Sequence, residues 1–67
     1  MIIAFFEVEA EGLYVTDTVT DETNILDRAN KLYNDMKKRT DGPISLRLVI
    51  RIDSHNIIVN MALNILL

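Results

Sequence analysis

The segment Asp53-Ser54-His55 contains the three residue types of a hydrolase triad, and His55 is the only histidine of this 67-residue chain. Consecutive residues in a turn cannot, however, place an imidazole between a hydroxyl and a carboxylate. As a metal ligand, His55 has only Asp53 beside it, whereas zinc sites need three or four protein ligands. We therefore interpret the segment as a turn in which Asp53 or Ser54 bonds to the backbone, with no catalytic residue and no metal.

Carboxylates offer a second possible chemistry, because Glu7, Glu9 and Glu11 alternate along the sequence. Side chains two residues apart on a strand lie about 6.6 Å from each other, and such a row usually forms a solvated face. The chain has no cysteine, and Gly12 and Gly42 are too far apart to form a phosphate-binding loop. We expect a protein that is not an enzyme and that has no cofactor.

Charge is unevenly distributed along the chain, whose net charge is −3. The first part is acidic, and most basic residues follow in the second. Nucleic-acid binding is the alternative function that this pattern suggests, through the basic residues Lys37, Lys38, Arg39, Arg47 and Arg51. Compensation of a helix dipole explains the first three more simply, and no exposed aromatic side chain is expected among them for base stacking.

The N-terminal part of the chain has the pattern of a β-hairpin. Residues 2–10 alternate with period two, and one side of that strand is wholly apolar. Glu11 and Gly12 form the next break, and residues 13–19 are rich in β-branched and aromatic side chains. Asp17 falls on the apolar side of the second strand, so we expect a bulge or an early strand end to keep it out of the core.

A helical pattern begins at Thr20. Its apolar residues have helical spacing: Ile25, Leu26, Ala29, Leu32, Tyr33 and Met36. Asp21 and Glu22 are expected in the first turn and basic residues in the last, as the helix dipole favours. The dipeptide Gly42-Pro43 follows and prevents the helix from continuing. The pattern predicts a helix of about nineteen residues that crosses the sheet.

The C-terminal part predicts a second hairpin. Residues 44–52 return to period two, and residues 53–56 form a turn signal. Residues 57–67 fit a strand with one apolar face or a helix with a polar stripe at Asn56, Asn60 and Asn64. We favour the strand, because Ile-Ile-Val opens the segment and three asparagines weaken a helix.

The predicted element order is β-β-α-β-β, which gives one α+β domain over residues 1–67 with a four-stranded sheet and one helix packed on one face. This order resembles the β-grasp arrangement of small immunoglobulin-binding domains, in which the first and last strands pair in parallel at the sheet centre. The resemblance lies in element order alone and implies nothing about a ligand.

Apolar residues also occupy the sheet face opposite the predicted helix. Ile3 and Phe5 point to that face, as do Val49 and Ile58, and Ala62 and Leu66 would extend the group. An apolar patch with a polar rim marks an interaction surface, although neighbouring long side chains could instead shield it. The predicted protein-interface residues are Ile3, Phe5, Glu7, Glu9, Arg47, Val49, Arg51 and Ile58.

The sequence thus predicts a small protein-binding module. We expect a regulator or inhibitor that occupies a surface of a partner protein and that self-associates, as a homodimer, through the apolar sheet face or an edge. A short chain without disulfides gains stability by burial against a second copy. No export signal or membrane-length apolar segment is recognised, so we expect a cytoplasmic location.

Overall fold

The computed structural model describes residues 1–61. Strands β1 (Ile2–Ala10) and β2 (Leu13–Val19) precede the helix α1 (Ile25–Lys37), and strands β3 (Ser45–Ile52) and β4 (His55–Asn60) follow it. The predicted order and the α+β class are confirmed. β4 begins earlier than predicted because only Asp53 and Ser54 form the turn. The prediction for residues 62–67 lies outside the described residues.

The strands form one antiparallel sheet in the order β2-β1-β3-β4. The parallel pairing of first and last strands that the β-grasp resemblance implied is therefore absent from the described sheet: β1 pairs with β3, and β4 lies at the edge. The burial of β3 and β4 agrees with this strand order. β3 has buried side chains on both faces, Leu48 on one and Val49 on the other, whereas every residue of β4 is exposed. β3 has a neighbouring strand on each side, whereas β4 has a neighbour on one side only.

Two short turns close the hairpins. Glu11 and Gly12 both have positive φ values, 45° and 85°, as a two-residue type I′ turn requires. Glu11 is held by the loop after α1, because Thr40 Oγ1 donates to its Oε2 at 2.7 Å and Gly42 N donates to Thr40 Oγ1 at 3.1 Å. A Cβ atom at Gly42 would overlap the Glu11 carboxylate. We call these three residues the turn clasp; it joins the first hairpin to the β3 entry.

The core lies between α1 and one face of the sheet. Phe6 and Leu46, on the two central strands, and Ala29 of α1 are fully buried. Alternate residues of each strand reach this helix side, as the period-two pattern predicted. The core consists of Phe6, Val8, Ala10, Ala29, Met36, Leu46, Leu48 and Met61.

The helix begins later than predicted. Asn24 is its N-cap, and its side-chain Oδ1 accepts a hydrogen bond from Asp27 N at 3.1 Å. Thr20 N donates to Thr23 Oγ1 at 2.9 Å, so a hydroxyl-bonded turn occupies the segment expected to be the first helical turn. Asp21 therefore precedes the helix, as Glu22 does. Side chains that bond to nearby backbone groups favour such turns over helix interiors.

Asp17 corrects another prediction, because β2 continues past it without a bulge. Its carboxylate faces α1 and accepts two hydrogen bonds from Arg28, at 2.5 Å from Nε and 3.2 Å from Nη2. A bidentate guanidinium partner satisfies a carboxylate that would otherwise be costly to bury. The hydrogen bonds from Arg28, rather than a bulge or an early strand end, allow the Asp17 carboxylate to lie beside the core.

Candidate protein-binding face

The sheet face opposite α1, here called the open face, brings together the predicted interface residues. The register places Phe5 beside Val49, and Val49 beside Ile58. It also places Glu7 beside Arg47 and Ile3 beside Arg51. All eight lie on β1, β3 or β4 with side chains on the same face: Ile3, Phe5, Glu7, Glu9, Arg47, Val49, Arg51 and Ile58.

An apolar row crosses the open face. Ile58 is 59% exposed at the β4 edge and Phe5 is partly buried, whereas Val49 between them is only 3% exposed. The guanidinium of Arg51 lies 5.8 Å from the centroid of the Phe5 ring. Arg51 thus lies over Phe5 at one end of the row, Val49 at its centre is buried, and Ile58 at the other end remains accessible.

A polar ladder runs beside the apolar row. Tyr14 Oη donates to Glu7 Oε2 at 2.6 Å, and Glu7 Oε1 lies 3.7 Å from Arg47 Nε. The hydrogen bond to Glu7 raises the pKa of Tyr14 above its ordinary value, since deprotonation would place two negative charges together. The ladder orders three side chains across β2, β1 and β3.

Arg47 retains unused hydrogen-bonding capacity in this ladder. Its Nε is buried and has no hydrogen-bond acceptor among the described residues, because the 3.7 Å contact with Glu7 is too long for a hydrogen bond. Arg51, by contrast, donates from Nε to Asn56 Oδ1 at 3.0 Å. The two arginines of the open face thus differ: Arg51 Nε has a hydrogen-bond acceptor, and Arg47 Nε has none among the described residues.

Tyr14 was missed by the sequence analysis. It is 54% exposed and pairs with Glu9 across the hairpin, on the open face. The available signal was the predicted Glu11-Gly12 turn, because a two-residue loop fixes the hairpin register and hence the side to which Tyr14 points. Its bond to Glu7 depends on side-chain conformation, which that register does not determine.

The acidic row and the basic group are each divided by the fold. Glu7 and Glu9 lie on the open face, but Glu11 leaves the strand for the turn clasp. Lys37 ends α1 on the helix side, and Lys38 and Arg39 follow it, whereas Arg47 and Arg51 lie on the open face. The five basic residues that sequence reasoning grouped therefore do not form one surface.

The remaining sequence candidates contribute no assembled site. Asp53 occupies the β3–β4 turn with a φ of 54°, and His55 begins β4 opposite Ile52. Within residues 1–61 there is no group of three or more side chains placed to hold a metal ion. Ala62 and Leu66, predicted to extend the apolar group, lie outside the described residues.

Comparison with known proteins identifies no matching family model, no matching curated protein and no matching solved structure. The helix within the described part of the chain is too short and polar to cross a membrane.

Proposed function

We propose that this chain is a non-enzymatic protein-binding module that acts as a regulator or inhibitor by occupying a surface of a partner protein. The observation that supports this proposal is the row of Phe5, Val49 and Ile58, which crosses three strands on a face that no described element covers. Apolar contacts with a polar rim are the usual composition of a protein interface.

The contact residues have distinct roles in this proposal. Phe5 and Ile58 supply the apolar contact, and Ile3, 42% exposed, extends it along β1. Glu7 and Arg47 provide charges of both signs beside the row, which favour one orientation of the partner. A cluster of this kind is typical of binding hot spots, where a few central residues supply most of the affinity.

The substitution Phe5→Asp tests the proposal. A charge in the apolar row should weaken capture of a partner at least ~30-fold, the effect of losing one hot-spot side chain. Affinity purification with mass spectrometry identifies the partners of the wild-type chain, and titration measures their affinity for the variant. Phe5 lies outside the core, so circular dichroism should show an unchanged fold.

The matched control is Asn30→Asp, which adds the same charge at an exposed position of α1. It should bind each partner as the wild type does. Equal binding by the wild type and Phe5→Asp would refute a role for the open face.

Nucleic-acid binding, the alternative, has less support because its basic residues are divided between the two sides of the sheet. It predicts an affinity that falls steeply with salt and that is lost when Lys37, Lys38 and Arg39 are neutralised. Salt-insensitive binding, unaffected by that triple substitution, would exclude it.

A further inference from the structure

The open face has a charge pattern that is complementary to itself. Its acidic side chains, Glu7 and Glu9, lie on β1, and its basic side chains, Arg47 and Arg51, lie on the adjacent β3. These two strands form the middle of the four-stranded sheet. A line between them therefore separates a negative column from a positive column, and apolar residues occur on both sides of it.

A two-fold axis along that line would pair opposite charges. It places β1 of one copy over β3 of the other and keeps each row at the same height. Glu7 then faces Arg47 of the second copy, and Phe5 faces Val49 of the second copy. Because the interface is isologous, each contact occurs twice. Aligned sheets pack at about 30° to each other, which leaves these contacts near the axis in place.

The other face-to-face arrangement lacks this complementarity. A two-fold axis across the strands places β1 over β1 and β3 over β3. If this axis passes between the Phe5–Val49 row and the Glu7–Arg47 row, Phe5 faces Glu7 and Val49 faces Arg47 of the second copy. If it passes through the Glu7–Arg47 row, Glu7 faces Glu7. Like charges or unpaired charges on apolar groups are costly in an interface. Centred on the apolar row, the axis across the strands packs Phe5 on Phe5 but sets Arg47 against Arg51. The axis along the strands sets Arg51 against Ile3 of the second copy, and of these arrangements it is the one that pairs Glu7 with Arg47.

The area of the open face indicates how tightly a dimer formed through it should associate. Four strands about 4.8 Å apart and seven residues long cover roughly 450 Å² in projection, and side-chain relief adds to that area. Standard interfaces bury about 800 Å² per partner, and weaker ones less. A dimer formed by this face should therefore have micromolar rather than nanomolar affinity.

We infer that the occupant of the open face is a second copy of this chain, bound about a two-fold axis that runs between β1 and β3, with reciprocal Glu7–Arg47 contacts between the copies. This inference rests on the proposed function, since it names the partner of the same surface. It also places carboxylate oxygens of the other copy beside Arg47, whose side chain is 33% exposed.

Two charge reversals test the arrangement. Glu7→Arg makes both central columns positive at this row, and Arg47→Glu makes both negative. Each variant alone should dimerise at least ~10-fold more weakly than the wild type, because like charges then meet across the axis. An equimolar mixture should regain wild-type affinity within about threefold, as heterodimers that native mass spectrometry distinguishes by mass.

The mixture is the internal control, because both variants lose the intrachain Glu7–Arg47 pair and only the contact between copies is restored. Wild-type association by either variant alone would overturn the inference, and so would a mixture that stays monomeric. Analytical ultracentrifugation up to about 1 mM covers the expected affinity range.

A cross-linking experiment tests the geometry should a charge-reversal variant fail to fold. The chain has no cysteine, so Thr18→Cys and Ile58→Cys introduce single thiols at exposed positions of β2 and β4. In the inferred dimer Thr18 faces Ile58 of the second copy across a sheet spacing of about 10 Å. A bismaleimide of that length should cross-link the mixture and not either variant alone; equal yields in all three samples would overturn the inference.

Failure of the dimer can be separated from failure of the binding function. A wild-type chain that remains monomeric at the highest concentration overturns the second copy as occupant. If Phe5→Asp still abolishes capture of another protein by that monomer, the open face remains a protein-binding surface with a different occupant.

Discussion

Asp17 and Arg28 show how one residue can contradict the apparent pattern of a strand. The carboxylate lies on the helix side of β2, and the bidentate hydrogen bond from Arg28 lowers the pKa of Asp17 below its ordinary value of 3.8. The same contact raises the pKa of Arg28. A carboxyl group with a lower pKa in the folded chain stabilises the fold above pH 3.8, and this contribution is lost as the pH falls through the lowered value.

The substitution Asp17→Asn should therefore reduce the free energy of unfolding at pH 7, because the amide removes the carboxylate charge that accepts the two hydrogen bonds from Arg28. The difference from the wild type should shrink as the pH falls below 3.8, where the wild-type carboxyl also becomes protonated. Urea denaturation at several pH values measures it. Asn30→Ala, which changes no titratable group at an exposed position of α1, is the control.

At the scale of elements, short polar side chains that form hydrogen bonds with nearby backbone amides determine where α1 begins. The apolar spacing predicted the helix but not its first residue, since Asp21 and Glu22 satisfy the dipole rule equally well inside a helix. The structure shows the determining contacts: Asn24 caps the helix, and Thr20 and Thr23 form the preceding turn. Capping by a polar side chain therefore outweighs the favourable position of acidic residues.

The substitution Asn24→Ala should lower the free energy of unfolding by about 0.5–2 kcal/mol, because the amide hydrogen of Asp27 loses its side-chain acceptor. Asn30→Ala, at an exposed interior position of the same helix, should be neutral or slightly stabilising, since alanine is the better helix former. Chemical denaturation compares them. Equal losses in both variants would contradict the role of the cap.

The alternation of apolar and polar residues along the strands allowed much of the fold and the candidate site to be predicted. It did not predict the order of the strands in the sheet. The period of two assigns Phe6 to the core and Phe5 to the open face before any pairing is known. It does not say which strand lies beside β1, because strands with the same alternation are interchangeable in sequence. Burial of Val49 and the Tyr14–Glu7 bond could not be predicted either, since both depend on register and side-chain conformation together.

At the scale of the whole molecule, a short chain whose open face is covered by no element within residues 1–61 has little stability to spare. Domains gain roughly 0.05–0.15 kcal/mol per residue, so the free energy of unfolding of a 67-residue monomer should be about 3–10 kcal/mol. Loss of one fully buried side chain such as Leu46 costs about 2–5 kcal/mol when it is replaced by alanine. Association through the open face would add stability that grows with the logarithm of the protein concentration once this exceeds the dissociation constant of the dimer.

The melting temperature of the wild-type chain should therefore rise with protein concentration, by roughly 5–10 °C over a hundred-fold range, because a dimer is favoured by mass action. Phe5→Asp should melt at the same temperature throughout that range. Differential scanning calorimetry provides the comparison. A melting temperature independent of concentration in the wild type would argue against the dimer.

The central pairing of β1 with β3 has a further consequence for biosynthesis. Each hairpin closes through a two-residue turn, but β1 and β3 are separated by β2, α1 and the loop that contains the turn clasp. The buried side chains of β1 emerge from the ribosome long before those of β3. We expect the nascent first hairpin to need protection from other apolar surfaces until β3 is translated, and the search for this distant pairing to limit the folding rate.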